Sequence, residues 1–360
     1  MKVGIIGASF ARAAYLPALR HVPGAEVVAL ASARMESARL AASEFDVPHA
    51  YDDWEAMIDS HELDLVCIAT PTVLHEVQTL RAIEAGAHVL CEKPTAMDAG
   101  EAARMLKAAK AAGRVHMIDH ELRFNPNRVR IAELIGEGAL GEIRHVNIAS
   151  IGKSWADPAS RPKGDWWSLA EQGGGRLGAN GSHQTDLLRW WLGEVAWVTG
   201  AAPVMVPDRV DRESGEPWTA TADDIAHFTV ETVSGAIAQV FLSGVAVHDM
   251  GNMTRIFGSE GTILLNNDDE RLLFAKAGGD FEDISVADPN AQLPGVNAGI
   301  WNVSVVALLQ ELCSAIQEGR TPSRGATFAD GLANQIVLDA VRISGTERRS
   351  VRPGEVHVGG

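Results

Sequence analysis

At 360 residues the chain exceeds the size at which one hydrophobic core usually stops growing, so two domains are expected. Its 46% hydrophobic content is that of an ordinary globular protein, and a formal net charge of -16 excludes a broad phosphate-binding surface. Nucleic acid and anionic membranes are therefore excluded as main partners, while a local basic pocket for one small molecule is not.

The first residues, Met1-Lys2-Val3-Gly4-Ile5-Ile6-Gly7, carry one basic side chain and a glycine-broken apolar run, which reads as a strand rather than a signal sequence. No uninterrupted apolar run reaches transmembrane length. The three cysteines, Cys67, Cys91 and Cys313, are spaced for neither a disulfide framework nor a zinc knuckle, so a reducing, cytoplasmic compartment is expected.

Up to about residue 120, β-rich runs at 3–6, 26–31, 65–69, 88–91 and 115–118 alternate with helical patterns at 11–20, 36–45, 53–58, 74–85 and 98–112. This alternation predicts a wound parallel sheet with crossover helices, a Rossmann-type α/β domain over 1–120. Beyond Arg123-Phe124-Asn125-Pro126 the rhythm changes. One helix and a strand at 143–151 precede a Trp-, Gly-, Lys- and Pro-rich loop through Gln172; strands at 225–232, 236–245, 253–257, 262–265 and 271–274 then follow. Helices at 301–318 and 328–344 close the chain, giving an α+β domain over 121–360 with an open, mostly antiparallel mixed sheet.

Gly7-Ala8-Ser9-Phe10-Ala11-Arg12 joins the first strand to a helix, where dinucleotide folds carry G-x-G-x-x-G, and only the first glycine is present. Gly7 permits the tight turn, the helix amino terminus offers N–H groups to a pyrophosphate, and Arg12 is a candidate phosphate contact. After the second strand an NAD site usually places Asp or Glu against the ribose hydroxyls; this chain has Ser32-Ala33-Arg34. A hydroxyl and a guanidinium suit a 2′-phosphate, so NADP(H) is expected over NAD(H), with NAD(H) as the alternative. Thr70 and Thr72, around Pro71, are expected to cap the next helix beside the cofactor, with His75 one turn inside.

Glu92-Lys93-Pro94 follows the apolar run 87–91, so Lys93 falls at the carboxyl end of a strand, the edge where open α/β sheets bind ligands. A lysine there can take or give the hydroxyl proton in hydride transfer and stabilise developing alkoxide charge. His183, after Gly173-Gly174-Gly175-Arg176-Leu177-Gly178-Ala179-Asn180-Gly181-Ser182, is the second proton-handling candidate. His120, Arg123 and Asn125, just past the last strand, together with Trp166, Trp167 and Asn180, are candidate substrate contacts; Arg123 and Asn125 read equally well as ties between domains. His75-Glu76 and His120-Glu121 lack the second histidine of H-E-x-x-H, and no metal is expected.

Gly7-x-Ser9, Thr70-Pro71-Thr72-x-x-His75, Glu92-Lys93-Pro94, Arg123-Phe124-x-Pro126, the triple glycine and Gly181-x-His183-x-x-Asp186 together resemble the glucose-fructose oxidoreductase, inositol dehydrogenase and MocA family. The resemblance spans nearly the whole chain. It implies a Rossmann domain, a second domain that often makes oligomer contacts, and a crevice site for NAD(P)-linked oxidation or reduction of a sugar, cyclitol or related polyol. It makes Lys93 the catalytic lysine and puts His183 beside the substrate. A homodimer or homotetramer through the C-terminal sheet is expected on the same ground. Many relatives have an aspartate four residues before the histidine, where this chain has Ala179. That departure keeps two alternatives in view: a glycoside-cleaving enzyme that uses NAD transiently, and a cofactor-sensing binding protein without catalysis.

Overall fold

The structure is a computed structural model and describes residues 1–359. The chain divides into two compact units, Met1–Asn125 with Ala287–Leu332, and Pro126–Val286 with Ala333 onward. Residues 121–360 are therefore not one domain, as the sequence suggests. The reason is the helix Ile300–Glu318, whose Val305, Val306, Leu308, Leu309 and Leu312 share a buried core with Val3, Ile5, Tyr15, Leu19 and Leu30. This helix is also long and apolar enough to span a membrane by length and composition, contrary to the reading of the sequence. Nine of its residues are buried within the protein, as befits a core helix.

The first unit holds a parallel six-stranded sheet. Its strands are β1 (Lys2–Ile6), β2 (Glu26–Ala31), β3 (His49–Tyr51), β4 (Leu65–Ile68), β5 (His88–Cys91) and β6 (His116–Ile118), in the order β3-β2-β1-β4-β5-β6. β3 escapes the sequence because three residues carry too little pattern. β4 is buried at every position, and β5 at all but His88, because helices cover both faces of such a sheet. Two helices start on aspartates that accept backbone N–H groups: Asp53, from Glu55 at 2.9 Å, and Asp98, from Glu101 at 2.9 Å. The peptides beyond the strands stay in register, Ala69 N–H donating to Ile6 (2.7 Å), Glu92 to Ile68 (2.9 Å) and Asp119 to Cys91 (2.8 Å). That register places Gly7, Ala69, Glu92 and Asp119 along one sheet edge.

The second unit is built on β7 (Ile143–Ile151), β8 (Val195–Ala201), β9 (Asp208–Val210), β10 (Pro217–Thr219), β11 (Ile225–Thr232), β12 (Ile237–Ser243), β13 (Gly251–Gly258), β14 (Gly261–Asn266), β15 (Arg271–Lys276) and β16 (Glu282–Asp283). Eight of them form one sheet, β16-β15-β14-β13-β7-β12-β11-β8, and β9 pairs separately with β10. Only β7 with β12 is parallel; the other pairs of the large sheet are antiparallel, as the sequence leads one to expect. Alternation is clean in β11, where Ala226, Phe228 and Val230 are buried and His227 and Glu231 are exposed. β8, unmarked in the sequence, carries weaker alternation, with only Val195 and Val198 buried.

Candidate active site

In the first unit, Gly7 adopts φ 107° between β1 and a helical stretch over residues 8–19, whose middle, Ala11–Tyr15, is wound as a π-helix. A Cβ at Gly7 would fall on the Ala69 carbonyl, so only glycine fits. Ser9 is exposed and Phe10 half-buried, edge-on to Tyr15 with ring centroids 5.2 Å apart. Ala11 is fully buried, leaving only its backbone to contribute. Arg12 does not stand free for phosphate: its Nε donates to Glu44 at 2.8 Å. After β2, Ser32 is half-buried and Arg34 exposed, at the start of the helix Met35–Phe45.

The expected threonine caps are not found. Pro71 and Leu74 hold the cap positions of the short turn Thr72–Leu74 and the helix His75–Glu84, while Thr70 Oγ1 donates to Gln78 at 2.7 Å. His75 is buried, with Nδ1 3.0 Å from the Pro94 carbonyl and Nε2 3.0 Å from that of Thr70. Burial lowers its pKa. The imidazole thus ties the loop after β4 to the loop after β5, and its ring nitrogens face backbone rather than a nucleotide.

Glu92 and Lys93 leave the end of β5 as expected. Glu92 Oε2 accepts from the Lys93 N–H at 3.1 Å and lies 3.9 Å from Nζ, with the lysine side chain 13% exposed. Beyond β6, His120, Arg123 and Asn125 are all buried. Arg123 pairs with Asp330 at 3.1 Å, and Asp330 accepts the Thr327 N–H at 2.8 Å. Burial alone would raise the Asp330 carboxyl, but Arg123 and Thr327 bring it below the ordinary value. Arg123 thereby ties the returning segment 287–332 to the first unit.

In the second unit, the glycine-rich segment opens a helix whose first turn, Leu177–Gly181, is π-helical and whose body is Ser182–Leu192. Such turns recur at functional sites, because one extra residue re-aims the side chains that follow. His183 sits just past it and is 2% exposed. A Cβ at Gly174 would meet the carbonyls of Trp166 and Trp167, and one at Gly175, φ 111°, would meet Asp223. Asp223 Oδ2 accepts the Leu177 N–H at 2.7 Å, and burial pushes this carboxyl up to about 6. Asn334 donates to the Ser182 carbonyl at 2.7 Å. Trp166 and Trp167 stack with centroids 4.0 Å apart. Asn180 is held in the unit's own network, donating to Ser150 at 3.4 Å and accepting from Gln184 at 3.1 Å.

Sequence reasoning passed over one group. Tyr15, Asp119 and Glu92 form a buried cluster beside Lys93, with Tyr15 Oη donating to Asp119 at 2.8 Å. Its sequence signal was an acidic residue directly after the apolar strand Met117-Ile118.

The first unit's strand order, its glycine turn into a helix, and polar groups along the carboxyl edge define a dinucleotide-binding oxidoreductase domain. Gly7 leaves the backbone open where a pyrophosphate approaches, and exposed Ser9 and Arg34 are available to NAD(P). Comparison with known proteins agrees. Residues 1–120 match the profile described as "Oxidoreductase family, NAD-binding Rossmann fold", and residues 129–264 match the GFO/IDH/MocA C-terminal domain. The chain belongs to the GFO/IDH/MocA oxidoreductase family and is an enzyme of the dehydrogenase/reductase class.

Among its relatives, levoglucosan dehydrogenase from Pseudarthrobacter phenanthrenivorans is 28% identical, over 87% of this chain and 85% of that one. D-glucoside 3-dehydrogenase from Escherichia coli is 30% identical, over 59% and 61%. The solved complex of levoglucosan dehydrogenase with NADH and levoglucosan superposes with TM-score 0.88 at 27% identity, covering 100% of both chains. An oxidoreductase domain protein from Kribbella flavida gives TM-score 0.87 at 28% identity, over 97% and 98%.

Proposed function

We propose that this enzyme transfers hydride between NADP(H) and a hydroxyl or keto carbon of a sugar, cyclitol or related polyol. The observation that carries the reading is Lys93 itself, a mostly shielded side chain held at the carboxyl end of β5 beside its own Glu92. A bound nicotinamide supplies the hydride acceptor or donor. As the free amine, Lys93 takes the hydroxyl proton while the carbonyl forms and becomes the ammonium; in reduction the ammonium returns that proton to the alkoxide oxygen, which its charge steadies. His183 is the second proton-handling group, and the stacked Trp166 and Trp167 suit the C–H face of a sugar.

Preference for NADP(H) is supported by Ser32 and Arg34 after β2, where no carboxylate stands against a 2′-phosphate. A screen of sugars and polyols for absorbance change at the nicotinamide band tests the activity, and dissociation constants for NADPH and NADH test the preference. Tighter binding of NADH would refute the cofactor assignment alone. Ala179, which can neither accept a proton nor orient an imidazole, favours a second reading as a cofactor-sensing protein. Hydride exchange with any polyol or ketose eliminates it.

The outer face of the second unit's sheet supports assembly as a homodimer or homotetramer. It exposes Ile237 and Phe241 and holds a concavity of about 800 Å³ lined in part by His227, Gln239 and Phe241. Phe241→Asp is expected to shift the sedimenting species toward monomer. The three cysteines are buried free thiols, which supports a cytoplasmic location.

A further inference from the structure

Behind Lys93 lies machinery that the acid–base reading leaves unused. Glu92 is 7% exposed, Tyr15 and Asp119 are fully buried, and the three meet. Tyr15 Oη donates to Asp119 Oδ2 at 2.8 Å and lies 3.3 Å from Glu92 Oε1. Tyr15 Oη thus stands between the two carboxyl groups, within hydrogen-bond reach of both. The other carboxylate oxygen of Glu92, Oε2, is the one that faces Lys93. One oxygen is held from behind and the other is presented to the lysine.

Two carboxyl groups this close in a buried place do not both ionise. Burial pushes Asp119 well above the carboxylate range, and Glu92 and then Glu121 add to it, so Asp119 keeps the proton. Tyr15 is pushed up by burial, then by Asp119 and Glu92, and stays a donor. The remaining titratable neighbours are Cys67 and Cys91, both raised by burial and therefore neutral thiols, and His75, lowered by burial.

We propose that Tyr15 and Asp119 are positioning residues that hold the Glu92 carboxylate with Oε2 toward Lys93. The inference rests on Lys93 as the proton-handling group. It makes Asp119 a hydrogen-bond donor at neutral pH, which an ionised structural aspartate is not.

Infrared difference spectra of the full chain at neutral pH test this without substrate. The wild-type-minus-Asp119→Asn spectrum is expected to show the carbonyl band of a protonated carboxyl, and Tyr15→Phe to move that band. With levoglucosan and NADP+, or the sugar selected by the screen above, Asp119→Leu and Glu92→Gln are each expected to lower kcat about tenfold with KM for the cofactor nearly unchanged, as loss of one aligned hydrogen bond implies. Asp119→Asn, which keeps a neutral donor, is expected to recover most of that loss. Absence of the carboxyl band, or an Asp119→Asn enzyme as slow as Asp119→Leu, overturns the inference; if Asp119→Leu does not fold, the band and its response to Tyr15→Phe decide. Full turnover in Lys93→Met would instead sink the reading of Lys93. An inactive Lys93→Met with no carboxyl band sinks only the positioning role.

Discussion

The two units hold their candidate side chains by different means. In the first, Lys93 stands at the end of a parallel strand buried on both faces, and its companion Glu92 is met by Tyr15 from a helix, which also bonds Asp119 at another strand end. In the second, His183 rides on one helix whose entry is shaped by a π-turn, two tightly packed glycines and the buried carboxyl of Asp223. A sheet edge thus fixes a side chain through register, whereas a helix start fixes it through caps and close approach. The first arrangement answers to core packing, and the second to backbone hydrogen bonds and charge.

The largest effect that would sharpen this contrast is on turnover. Lys93→Met is expected to lower kcat by ~10²–10⁴-fold, the worth of a placed proton-transfer group, while cofactor affinity stays near wild type. Stopped-flow rates with separately measured nucleotide binding would show it. Next comes packing. Leu90→Ala, at a fully buried position of β5, should cost about 2–5 kcal/mol in denaturant unfolding, and Glu231→Ala, exposed on β11, less than about 0.5 kcal/mol. Equal losses would erase the distinction between a two-faced and a one-faced sheet.

One group in each unit, His116 and Asp223, should also answer pH in opposite directions. His116 stacks on Phe328 at 4.6 Å and accepts its N–H at 3.0 Å, and burial lowers its pKa to about 4. The folded first unit therefore resists protonation. Its His116 contribution is complete above the ordinary value of 6.5 and is lost as pH falls toward 4, at most about 3 kcal/mol. Asp223 works the other way. With its folded value near 6 against an ordinary 3.8, its contribution is greatest below 3.8 and is lost as pH rises through 6, by somewhat less. Hydrogen exchange resolved by segment, with His116→Asn and Asp223→Asn as the flattened controls, reads each unit separately; parallel slopes would break the comparison.

Legibility followed the same divide. Strands such as β4 and β5 announced themselves as short apolar runs with turn residues at both ends, and Lys93 could be placed from that alone. Gly7 was readable as a forced glycine, and its φ of 107° bears that out. By contrast, Thr70 and His75 resemble cap and cofactor residues in sequence, yet one bonds Gln78 and the other bridges two backbone loops. Arg12 and Arg123 read as ligand contacts and are engaged by Glu44 and Asp330, because a local motif cannot show which distant carboxylate will arrive beside it.

Periodicity, turn chemistry and motif order were enough for the chain alone to specify a wound parallel sheet, a second mixed sheet, and Lys93 at a strand end. Those signals are local, and each is written within a dozen or so residues. Folding alone decided that residues 287–332 return to the first unit and that Tyr15 and Asp119 meet Glu92 across 77 and 27 positions of sequence. Such meetings depend on which apolar faces find each other, and no short window of the chain contains both partners.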